Sequence, residues 1–116
     1  MYRNIGQFKP NTVLYSDGNV KLTVAAALDM VDYAISFLAT KNEQIEKYKK
    51  AKIFFNAVKL MLNNKTPQRL EKEYYKFAVD VVEEIKNMQA QSEQEKILNA
   101  QYSLFLKLII DFGMKG

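Results

Sequence analysis

At 116 residues, with 48% apolar and 26% charged side chains and a net charge of +4, the chain has the size and composition of one globular domain. It contains neither cysteine nor histidine, which excludes disulfides, thiolate metal sites, histidine-based triads and the Glu-x-x-His di-iron pattern. Only carboxylates, lysine and tyrosine remain as acid–base groups, so the expectation is a non-enzymatic protein with no metal and no cofactor.

The first ten residues, MYRNIGQFKP, carry no apolar signal-peptide region, and Tyr2 stands where N-myristoylation requires glycine. No window approaches 18 uninterrupted apolar residues. A soluble, cytoplasmic protein is expected.

The stretch LYSDGNVKL, Leu14 to Leu22, admits two readings. A two-residue Asp17-Gly18 turn would pair Tyr15 with Val20 and Val13 with Leu22, placing those four on one face and Leu14 and Lys21 on the other. Alternatively Ser16, Asp17 or Asn19 caps a helix that starts near Val20. Thr23 is an equally good cap for a helix starting at Val24, and the alternation Val20, Leu22, Val24 has the period of a strand. The hairpin, over residues 13–22, is the favoured arrangement. Alone it would be marginal in water, so it must pack on something.

Four segments with helical period follow. The first runs from Val24 with the stripe Val24, Leu28, Val31, Ile35, Leu38, and Ala25, Ala26, Ala27 and Ala34 keep it slim. The second, Glu43 to Asn63, has the stripe Ile45, Tyr48, Ala51, Phe55, Val58, Leu62, widened by Phe54 and Met61, while Ile53 and Leu60 point the other way. The third begins at KTPQR, with Thr66 as N-cap and Pro67 at the first helical position, and carries Leu70, Tyr74, Phe77, Val81, Ile85 and Met88. The fourth begins at SEQE, where Ser92 and Glu95 match a capping box. It carries Leu98, Tyr102, Phe105, Ile109 and Phe112 and ends at Gly113. MQAQSEQE holds neither glycine nor proline, so a fused third and fourth helix is the competing arrangement; the capping box favours a break. The fold class expected is mainly α: a single four-helix bundle-like domain, residues 23–113, preceded by an arm or hairpin over 1–22.

Three features suggest function. The fourth segment is apolar almost all round in YSLFLKLIIDF, relieved by an i,i+4 pair of Lys107 and Asp111. Such a helix is buried centrally or lies at an interface, and Phe105, Leu108 and Ile110 are the candidate anchors. Ile53 and Leu60 could extend an apolar contact surface. Third, segment two and its exit hold Lys47, Lys49, Lys50, Lys52, Lys59 and Lys65 against Glu43 and Glu46, an excess equal to the net charge of the whole chain. Lys49, Lys52, Asn56, Lys59 and Asn63 form a stripe about 20 Å long that no acid in the helix interrupts. It could follow a nucleic-acid backbone without reading sequence. Tyr48, Tyr74, Tyr75 and Tyr102 could stack on bases, but their helical spacing fits packing better. The pairs Asp29/Asp32 and Glu83/Glu84 could hold a hard cation, although no further ligands converge on them by spacing and a solvated surface is the better reading.

VDYAISFL, Val31 to Leu38, followed by a lysine-rich helix ending in LMLNN, resembles the bacterial flagellar export chaperones over a helix and a half. The resemblance implies a small helical bundle that wraps an unfolded partner. The function expected is that of an interaction protein (adaptor, chaperone-like factor or assembly subunit) that binds a protein partner or a second copy. Nucleic-acid-backbone binding through Lys49, Lys52 and Lys59 is the alternative.

Overall fold

A computed structural model describes residues 8–89 and 95–115. The order is β1 (Val13–Asp17), β2 (Val20–Thr23), α1 (Val24–Ala39), α2 (Glu46–Leu62), α3 (Glu73–Gln89) and α4 (Glu95–Lys115). Each helix packs on the next in sequence, and the hairpin lies against α4. The body measures 38 × 36 × 20 Å, and the short dimension admits two helix layers. The expected mainly α architecture with an N-terminal hairpin is therefore present, and α3 and α4 are separate helices packed together.

The hairpin turn falls one residue later than expected. Tyr15 pairs with Leu22, Ser16 with Lys21 and Asp17 with Val20, so Gly18 and Asn19 are the central residues. Gly18 has φ +59 and Asn19 does not have positive φ, the sign pattern of a type II′ turn. The expected Asp17-Gly18 turn would have forced Asp17 into the left-handed region, which glycine enters without a Cβ penalty. Tyr15, Val20 and Leu22 still share one face, because sliding the turn by one residue moves the pairing by two. Val13 does not. An irregularity at Leu14 sets Val13 opposite Thr23, and its side chain is exposed.

Thr23 closes β2 and caps α1. Its Oγ1 accepts from the Ala26 N–H at 3.1 Å, while the Thr12 and Pro10 carbonyls accept from the Val24 and Ala25 N–H groups at 2.9 and 3.0 Å. The first turn of α1 thus has its free donors met by the arm and the cap together. The buried face of α1 is Val24, Ala27, Val31, Ala34, Phe37 and Leu38. It is turned from the expected stripe, with alanines inward and Leu28 and Ile35 half-buried. Small residues there let a neighbouring helix approach.

α2 starts at Glu46, three residues after the expected start, and the Ile45 before it is exposed. Its buried residues are Ala51, Phe54, Phe55, Ala57, Val58, Met61 and Leu62, which at 3.6 residues per turn span an arc of about 160°. Asn64, at φ +64, ends it: the Lys65 N–H donates to the Leu60 carbonyl at 2.8 Å and the Asn64 N–H to that of Met61 at 3.0 Å. This is the Schellman arrangement with asparagine in the left-handed position. The Asn64 side chain also grips the arm. The Phe8 N–H donates to Asn64 Oδ1 and Asn64 Nδ2 donates to the Phe8 carbonyl, both at 2.8 Å.

Two expected boundaries are corrected. The Thr66-Pro67 start is not used; residues 65–71 are irregular and α3 begins at Glu73. A helix through Gln68, Arg69, Glu71 and Lys72 would bury little but Leu70, and short helices depend on packing. Gly113 does not end α4, which continues to Lys115. Its role is close approach. A Cβ on Gly113 would overlap Tyr75 Cβ and lie 2.7 Å from its Cγ. The Ser92 cap lies outside the described residues, as does the side chain of Leu98.

Gly113→Ala tests that contact by its sign. In an unobstructed helix the change stabilises by about 1 kcal/mol, whereas here the overlap should destabilise by roughly 1–3 kcal/mol, read as a lower midpoint in urea unfolding.

Candidate interaction surface

The reason for the apolar wrapping of α4 lies in its neighbours. Tyr102, Leu104, Phe105, Leu108, Ile109 and Phe112 are buried, and α2, α3 and the hairpin cover different parts of the helix. Phe105 stacks on Phe55 with parallel rings 6.4 Å apart, and Phe112 meets Phe54 edge-on at 5.3 Å. Phe105 and Leu108, expected as interface anchors, are thus core residues of this fold, 1% and 0% exposed. The correction has a simple cause: the helical period shows that a face is apolar but not whether the cover comes from within the chain. Asp111, expected to pair with Lys107, accepts a hydrogen bond from the Tyr15 hydroxyl at its Oδ2.

Among the described side chains of α4, the exposed ones form a narrow strip of Ser103, Lys107, Ile110 and Met114, at spacings of four, three and four. Ile110 is 37% exposed and Met114 62%. Ile110 was among the expected contacts. Met114 was not, although its place one turn beyond Ile110 is legible in the sequence. On α2 the outward strip is Lys49, Ile53, Asn56, Leu60 and Asn63. Ile53 is half-buried and Leu60 exposed, so both expected residues border solvent on the same side as the lysines.

The lysines themselves are largely engaged. Lys52 Nζ lies 3.0 Å from Glu43 Oε1, and Lys59 Nζ 2.8 Å from Asp32 Oδ1 of α1. Acids from outside the helix therefore complete the stripe that no acid within it interrupts, and among the described residues Lys49 is the one of the three candidate phosphate contacts without such a salt bridge. Facing α3, Lys50 bridges Glu46 and Glu73, at 2.8 Å each, with its ammonium over the Tyr74 and Phe77 rings. Lys47 reaches Glu84 at 3.2 Å.

Glu84 forms the densest polar cluster among the described residues. Its carboxylate takes Lys47, the Tyr48 hydroxyl at 3.2 Å and, at 4.0 Å, Lys41. Lys41 also sits over the Phe37 and Tyr48 rings. The end of α1, the start of α2 and the last turns of α3 meet there. Both candidate carboxylate pairs are thereby accounted for in part: Asp32 holds Lys59, and Glu84 holds this junction. Among the described residues no three carboxylates gather as a metal site would require. Among the described residues, Arg69, Leu70, Glu71 and Lys72 line an open depression of about 500 Å³ beside the α2–α3 connection.

No protein-family model matches this chain, and neither does any curated protein or solved structure. The resemblance to flagellar export chaperones gains no support from these comparisons.

The charges of the cluster predict a pH profile. Hydrogen bonds that Lys50 donates to Glu46 and Glu73, joined by the charges of those carboxylates, raise its pKa. Burial lowers that of Lys47, but the hydrogen bond and charge of Glu84 outweigh it and the net direction is upward. Burial, with nearby Tyr33, raises Tyr102. In all three the folded state holds its proton more tightly, so their contribution is complete below roughly pH 10 and is lost as pH rises through the folded values. Glu46 has the opposite sign: the hydrogen bond and charge of Lys50 lower its pKa, so its contribution is present above its unfolded value and lost as the solution is acidified through the folded one. Urea midpoints measured across pH should show a plateau from about 5 to 9.5 and a decline on either side. Glu84→Gln should lower stability by about 0.5–1 kcal/mol at neutral pH, the scale of a partly exposed pair.

Proposed function

We propose that this chain is a non-enzymatic, cytoplasmic helical binding module, an adaptor, chaperone-like factor or assembly subunit, that joins a protein partner or a second copy through exposed apolar helix surface. The observation that carries the reading is the pair Ile110 and Met114, large apolar side chains one turn apart on a strip of α4 that is exposed among the described residues. Isolated exposed apolar residues are ordinary. Two on one face, beside a lysine that can rim a contact, make the smallest unit that a partner could bury. Leu60 and Ile53 offer a second such strip on α2. Among the described residues no helix is long and apolar enough to cross a membrane.

The nucleic-acid alternative has less behind it, because a lysine already paired with a carboxylate releases fewer counterions when it meets a phosphate. The two readings separate in one experiment. Absolute mass by light scattering, at roughly 50 and 200 mM salt, should show assembly that salt leaves in place, whereas backbone binding would fall steeply over that range. Ile110→Lys with Met114→Lys should return the protein to single chains with its helical circular dichroism unchanged. At a contact centre each truncation removes on the order of 2 kcal/mol, while exposed positions change folding by about 0.5 kcal/mol or less. A single-chain mass at both salts and millimolar protein overturns the self-association form.

A further inference from the structure

The covers of α4 are unequal. Two of them are helices locked into the main core, and the third is a two-stranded hairpin, an element that does not hold its shape alone. Within the hairpin Leu22 is the fully buried side chain, while Leu14, Tyr15 and Val20 are half-buried and the turn is exposed. Polar contacts fasten this segment to distant parts of the chain: Phe8 to the side-chain amide of Asn64, and Tyr15 to the carboxylate of Asp111. Contacts of this kind break singly and exchange readily with water. The helix beneath is apolar enough to have the pattern of an interface helix. Regions with few buried contacts and solvent-facing hydrogen bonds open at lower free energy than the core around them.

From this unequal cover we infer that residues 8–23 form a strap that opens as one unit about Thr23, baring the α4 surface beneath it while α1, α2 and α3 stay folded. The strap is a conformational device in its own right, separate from the exposed strip of Ile110 and Met114. Its opening would change how much apolar surface the protein presents without unfolding the bundle.

Amide hydrogen exchange on the full chain, followed by NMR, tests the device. Cross-strand amides of the hairpin should exchange at least about tenfold faster than those of Phe54 to Val58 in α2. Tyr15→Phe removes one fastening. Asn64→Gly removes a second and keeps a residue suited to the left-handed cap, so α2 still ends correctly. Each should speed hairpin exchange about 2- to 12-fold, the range for one lost hydrogen bond, with the α2 amides unmoved. Fluorescence of an apolar dye should rise in step with no loss of helical signal. Equal exchange rates in hairpin and α2, or variants that accelerate both together, would show that the strap unfolds only with the whole and overturn the inference. Faster hairpin exchange without dye binding would overturn the baring of α4.

Discussion

The aromatic contact between α2 and α4 is the constraint on which the arrangement depends. Phe54 and Phe55 are consecutive, so their side chains leave α2 about 100° apart. Phe54 meets Phe112 and Phe55 meets Phe105, and those two partners lie seven residues apart, on one face of α4. One helix thus addresses the other across two turns, through rings large enough to span a gap that the backbones do not close. Each ring pair adds roughly 0.5–1.5 kcal/mol beyond its buried area. The pair of contacts also fixes the rotation of α4 about its axis. Once Phe105 and Phe112 point at α2, the same rotation sends Ile110 and Met114 outward and brings Asp111 to the hairpin.

A helix held that way needs cover on its other sides, and the chain supplies it in two styles. α3 comes close by omission: Gly113 has no side chain where Tyr75 sits, and the approach is a backbone-scale one. The hairpin covers by adding surface, with Leu22 driven in and Tyr15 reaching Asp111. The helix-on-helix style is rigid because a whole face interlocks. The ribbon style leaves most of its outer face in water. This difference, more than any single residue, makes the N-terminal segment the place where the molecule can change.

Periodicity and cap chemistry carried much of this architecture in legible form. The four helices, the hairpin and the Thr23 cap all follow from local patterns, because a cap needs only its neighbours and an amphipathic face needs only its own spacing. What local pattern could not carry were the partners. The apolar girth of α4 reads equally as core or interface until the hairpin is seen lying on it, which is why Phe105 and Leu108 belong inside while Ile110 does not. Gly113 reads as a helix stop because close approach between helices has no sequence signature of its own. Thr66-Pro67 is a sound start signal overruled by the polar residues after it, whose helix would have had nothing to bury.

The lysines of α2 make the same point in charge. Counted along the sequence they give one helix the whole net charge of the chain. Placed in the fold, Lys47 and Lys50 turn to carboxylates on α3, Lys59 to one on α1 and Lys52 to one just before the helix. Each pair is partly in water, where ion pairs contribute little on their own, so together they decide less about stability than about position. Opposite charges on α1 and α3 favour α2 between them in one rotation and penalise others in which its lysines would face each other. α2 already has to present Phe54 and Phe55 to α4, and the lysine contacts select the same rotation from its other sides. Apolar packing and surface charge therefore specify the helix in agreement, as a sequence that folds to a single arrangement requires. The lysines of α2 thus take part in placing their helix, while Ile110 and Met114, which the same rotation of α4 turns outward, are exposed large apolar side chains, as Leu60 is on α2.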